Sequence, residues 1–138
     1  MAVSASGYLR IGATDVDAWM NFATGVLGLM EAPREDAGGA RFLRLDDHPF
    51  RFMVEPADAD QLLATGLEFP SQDAFERVCE ALAKSGHAIT AGSADEAKRR
   101  CVTAFATTTD PSGNSLELYW GRELDYIPLA SPQGVKGF

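Results

Sequence analysis

The stretch Gly7-Tyr8-Leu9-Arg10-Ile11-Gly12-Ala13-Thr14-Asp15 decides the fold, because its pattern returns later in the chain. Residues 7–13 read as a strand. Thr14 and Asp15 follow, and their short side-chain oxygens suit a helix start. Val16, Trp19, Phe22, Ala23, Val26 and Leu27 then recur at helical spacing and form one apolar stripe, with Gly28 as its stop. Short strands are expected at 29–34, 40–45 and 50–55. Between them lie the turns Asp36-Ala37-Gly38-Gly39 and Asp46-Asp47-His48-Pro49. In the last strand Phe50, Phe52 and Val54 alternate with Arg51, Met53 and Glu55.

Outward from there the order repeats. A strand at 63–69 runs to Ser71, a helix cap, and Phe75, Val78, Cys79 and Leu82 form the next stripe. Lys84-Ser85-Gly86 closes that helix. A short strand beginning at His87 (87–91), a helical turn at 94–100 and a long strand at 101–109 follow. Asp110-Pro111-Ser112-Gly113-Asn114 is a dense turn before the last strand, 115–120. The chain therefore reads β-α-β-β-β twice, at a period of about 60 residues. The expected modules are 7–56 and 62–121, within a domain spanning 1–121. The turns are too short for parallel crossovers, which argues against a doubly wound sheet. Residues 122–138, with Pro128, Pro132, Gly134 and Gly137, have the texture of a linker.

The chain has 138 residues, enough for one domain that needs no disulfide or metal staple. A formal charge of −8 argues against a nucleic-acid partner, which would be met by a basic face. No apolar run approaches the ~18 residues of a membrane span, and residues 1–8 lack the pattern of a secretory leader. Cys79 and Cys101 lack metal-like spacing and read as buried reduced thiols, so a cytoplasmic location is expected.

The segments 7–15, Leu27-Gly28-Leu29-Met30, Arg99-Arg100-Cys101-Val102-Thr103 and Asp110-Pro111-Ser112-Gly113-Asn114-Ser115-Leu116-Glu117-Leu118-Tyr119-Trp120-Gly121, taken in order, resemble the vicinal oxygen chelate superfamily. That superfamily groups glyoxalases, bleomycin resistance proteins and dioxygenases. The closer resemblance is to the N-terminal, non-catalytic domain of type I extradiol dioxygenases acting on 2,3-dihydroxybiphenyl. It implies an α+β fold in which two βαβββ modules pack as a paired-module, partly open eight-stranded barrel. It also implies that 122–138 leads into a missing C-terminal catalytic domain that carries Fe(II). The whole enzyme would cleave an aromatic diol and form a homo-oligomer, with this half as structural support.

The family's iron is held by two histidines and a carboxylate. Carried over one at a time, these positions fall on Tyr8, Arg51 and Glu117. A guanidinium has no lone pair to give and repels a cation, so no metal or other cofactor is expected in this chain, and no catalytic residue. Arg51 is instead expected to fork onto Glu117 and fill the cavity, whose lining would be Tyr8, Arg51, Met53, Glu117 and Tyr119. His48 and His87 are read as surface or hydrogen-bonded histidines, Lys98-Arg99-Arg100 as a solvated face or interdomain contact. The large aromatics, Phe22 included, are read as core.

On this reading the chain alone is inactive, and the parent enzyme is an oxidoreductase. A stand-alone, metal-free ligand-binding or resistance protein is the alternative. A glyoxalase-like lyase with ligands shared across a dimer is a third reading, which Tyr8 and Arg51 oppose.

Overall fold

The computed structural model describes residues 2–134. Eleven elements run in the order β1 (Ala5–Ala13), α1 (Val16–Gly25), β2 (Met30–Glu31), β3 (Arg41–Arg44), β4 (Phe52–Pro56), β5 (Gln61–Phe69), α2 (Gln72–Lys84), β6 (Thr90–Ala91), α3 (Ala94–Arg99), β7 (Ala104–Thr109) and β8 (Ser115–Trp120). This is a mixed α+β chain of two βαβββ modules, and the strand order within each is the same. The first runs β2-β3-β4-β1 and the second β6-β7-β8-β5. β1 and β4 are parallel, as are β5 and β8. The pairs β2–β3, β3–β4, β6–β7 and β7–β8 are antiparallel, as the short turns require.

The described residues divide into two compact units, 8–63 with 124–134 and 2–7 with 64–123. In the first, Asp15 caps α1 by accepting from the amide of Ala18. The helix then lays Met20 and Ala23 on Ala13, Leu43 and Val54, with Val16, Trp19, Leu29 and Phe52 packed around them. In the second, Ser71 caps α2, and Phe75, Val78 and Leu82 pack on Phe69, Ala74 and Leu118.

Several local readings are corrected. β2 and β6 are two-residue strands rather than the six and five expected. After Glu31 the Arg34 amide turns back onto the Ala32 carbonyl, with Pro33 between them unable to donate. Gly86 takes a left-handed conformation and the His87 amide returns to the Leu82 carbonyl, so His87 closes α2 instead of opening a strand. Cys101 also lies in the left-handed region (φ 56°), and β7 begins only at Ala104; both cysteines are half-buried rather than buried. Phe22, expected in the core, is 48% exposed, because α1 buries a narrower face than its apolar stripe offers.

Candidate functional site

Alternation along the strands sorts the side chains. In the first unit the β1–β4 register sets Arg10 against Met53 and Gly12 against Glu55, so one sheet face carries Arg10, Met53 and Glu55. Arg10 grips Glu55 with two bonds, from Nε at 2.7 Å and Nη2 at 3.1 Å. Met53 is fully buried. Tyr8 is also buried, its ring 5.3 Å from Phe50, which in turn lies edge-on to Phe42. The guanidinium of Arg34 lies 4.3 Å from the centre of Phe42.

Arg51 turns to its own hairpin. Its Nε and Nη2 reach the Asp46 carboxylate at 2.9 and 2.6 Å. Burial raises the Asp46 pKa, but the bonds from Arg51 and from the His48 amide outweigh this, and the carboxyl sits below its ordinary range. His48 is buried and takes the hydrogen-bonded of the two roles expected for it. Its Nδ1 lies 3.2 Å from Asp46 and 3.5 Å from Asp47. Asp46, Asp47 and His48 offer ligand atoms within 4.8 Å of one another. Arg51 already neutralises Asp46 there, which disfavours a cation.

In the second unit Glu117 is 1% exposed. Its two oxygens take Arg100 Nε at 2.7 Å and Nη2 at 2.8 Å. Arg100 is itself 4% exposed and lies 4.2 Å over the centre of Phe105. Its Nη1 bonds the Glu96 carboxylate and, at 3.1 Å, the Glu96 carbonyl. The local sequence builds this arrangement. Ser93 caps α3, acidic Asp95 and Glu96 fill the first turn, and Lys98 and Arg99 fill the last. Arg100 is the C-cap, and Cys101 then turns the chain into β7. Tyr119, the next residue on the Glu117 face, is 1% exposed and lies over Gly7, where a Cβ would meet its Oη at 1.8 Å.

Arg100 as a partner of Glu117 and Asp46 as a partner of Arg51 were not among the expectations from sequence. Arg100 is a buried ion-pair partner, not part of a solvated basic face, which corrects one expectation. The Lys98-Arg99-Arg100 run was visible in the sequence. That α3 would end so as to turn Arg100 inward was not.

Taken one at a time, the carried-over ligand positions do not fit an iron: Tyr8 is packed against Phe50, Arg51 is a cation, and both oxygens of the Glu117 carboxylate already accept from Arg100. No helix among the described residues is long and apolar enough to cross a membrane.

Residues 7–57 match the family described as Dihydroxybiphenyl dioxygenase BphC D1. The chain is 35% identical to the iron-dependent extradiol dioxygenase of Rhodococcus jostii over 99% of its own length and 45% of that protein's. It is also 35% identical to the biphenyl-2,3-diol 1,2-dioxygenase of Paraburkholderia xenovorans, over 100% of this chain and 46% of that one. The crystal structure of a catechol 2,3-dioxygenase superposes with a TM-score of 0.93 at 24% identity, over 99% of this chain and 48% of that one, which shows the fold. The structure of BphC, a halotolerant catechol dioxygenase, superposes at 0.88 with 25% identity, over 94% and 43%. The chain thus spans a little under half the length of the curated relatives it matches.

Proposed function

We propose, for a chain that corresponds to the N-terminal half of a type I extradiol dioxygenase and has the vicinal oxygen chelate fold, that it is the iron-free half of a catechol ring-cleaving enzyme. A C-terminal domain would hold Fe(II) and act on an aromatic diol. This half would brace that domain within a cytoplasmic homo-oligomer, with 122–138 as the connection.

One observation carries the reading: the single carboxylate retained at a ligand position, Glu117, has both oxygens bonded to the buried Arg100. Fe(II) needs several lone-pair donors and open positions for substrate and oxygen; of the three carried-over positions one is a cation, and the charge of the carboxylate is already matched by Arg100. Of the expected lining residues, Tyr8 and Met53 are buried in one unit and Glu117 and Tyr119 in the other, and each would serve packing with no ligand of its own to position. The relatives named as dioxygenases, each about twice as long as this chain, support a second half.

Two experiments test the proposal. The reading frame beyond Phe138 should continue into a second pair of βαβββ modules with two histidines and a glutamate at the ligand positions; a stop codon there contradicts the reading. The 138-residue protein with Fe(II), oxygen and 2,3-dihydroxybiphenyl should show no ring cleavage, and turnover would overturn it.

A further inference from the structure

Residues 124–134 lie across the first compact unit, yet none of them is buried; Leu124, Tyr126 and Ile127 are 44%, 87% and 47% exposed. Their attachment is polar, and it centres on one side chain. Arg44, at the end of β3, is 1% exposed. Its guanidinium donates on one side to the carbonyls of His48 (3.2 Å) and Asp46 (3.1 Å) in the β3–β4 turn. On the other side it donates to the carbonyls of Ile127 (2.9 Å) and Asp125 (3.4 Å), with the Asp125 carboxylate also at 3.4 Å. The Asp125 amide donates to the Asp47 carbonyl at 2.9 Å, and the Ile127 amide to the Asp125 carboxylate at 2.9 Å. Farther along, the Ala130 amide meets Met30 Sδ, and Gln133 Nε2 reaches the Gly25 carbonyl.

Apolar packing under the segment is incomplete. A cavity of about 530 Å³ lies between the β3–β4 turn and residues 125–129. A second, of about 100 Å³, lies between residues 27–30 and 129–131. Arg44, Leu45 and Leu129 line both. An element with no buried residue, held by hydrogen bonds around one cation, has little to keep it from opening locally while the sheet stays folded. Arg44 differs, since its five donors need those carbonyls once it is out of water.

We infer that residues 124–131 form a latch that opens independently of the strands beneath it, with Arg44 as its lock. Release uncovers Leu29 and Met30, half-buried on the unit below, beside the already exposed Leu27 and Leu45. If a second half follows, as proposed above, the latch also sets where that half's attachment can loosen; that consequence rests on the proposed function, whereas opening of the latch does not.

Hydrogen–deuterium exchange on the 138-residue protein decides the matter. In the unaltered protein the Asp125 and Ile127 amides should exchange well before those of β3 and β4. Arg44→Met, and separately Asp125→Ala, should speed exchange across 124–131 by at least about tenfold, the loss expected for hydrogen bonds to a charged group. Amides of β5, β7 and β8 should keep their wild-type rates. Arg44→Lys retains the charge without the fork and should also leave the latch released. Asp125→Ala leaves the core side chain in place, so it decides even if Arg44→Met fails to fold. Equal protection of 124–131 and β4 in the unaltered protein, or unchanged exchange in Asp125→Ala, would overturn the inference.

Discussion

Arg100 and Glu117 form a two-bond ion pair with both side chains almost wholly out of water, at 2.7 and 2.8 Å. Seventeen residues separate them in sequence, and the C-cap of a one-and-a-half-turn helix brings them together. Such a pair is weak evidence for stability, since both ions lose hydration; breaking it is another matter, because it strands one charge.

Arg100→Met should therefore destabilise the domain by roughly 3–5 kcal/mol. The double variant Arg100→Met with Glu117→Leu should come back to within about 1 kcal/mol of wild type, since no buried charge is left unpaired. Urea denaturation of the three proteins measures both. A single variant as stable as wild type would show that Glu117 has another adequate partner.

Gly7→Ala should cost about 1–3 kcal/mol, the range for overpacking a filled site. A Cβ at position 7 would lie 1.8 Å from Tyr119 Oη and 2.6 Å from Cζ, and Tyr119 is buried with little room to move. Gly7→Ala with Tyr119→Phe should recover part of the loss by removing the nearest atom. Thermal melts of the two variants check this.

Asp46 gives the acid limit a local component. Its folded-state pKa is lowered by the bonds from Arg51 and the His48 amide, so its contribution is present above the ordinary aspartate range of about pH 4. The contribution is lost as pH falls through the lower folded value. The side chain is 37% exposed, so solvent screening holds the effect to no more than about 1 kcal/mol. In Asp46→Asn the fall in stability between pH 5 and pH 2 should be shallower, as followed by denaturation at each pH.

Cys79 should be slow to alkylate at neutral pH. Burial, and then the nearby Glu76 carboxylate, raise its thiol pKa, which reduces the thiolate that reacts. Mass-spectrometric mapping of iodoacetamide labelling at pH 7 and pH 9 should show Cys79 modified chiefly at the higher pH. Rapid labelling at pH 7 would contradict this.

The modules were legible because strand alternation, Asp15 and Ser71 caps, and the turn residues all agree locally. The short β2 and β6 were less so, because Pro33 and Gly86 act on chain direction after an apolar run that still favours a strand. The ligand positions could be located from the strand pattern. Which arginine neutralises Glu117 could not, because that depends on where α3 stops and on the left-handed turn at Cys101, neither of which side-chain periodicity encodes. Arg51, expected on the fourth strand, stands just before β4 and bonds Asp46 five residues away, a local partner that strand alternation does not encode. The buried role of Arg44 had no sequence signal beyond its place at a strand end.

If this half holds no iron, anaerobic Fe(II) titration of the purified chain, followed by desalting and metal analysis, should leave iron well below one equivalent, unchanged by Glu117→Gln. One equivalent retained per chain, and lost in Glu117→Gln, would show that this half binds the metal.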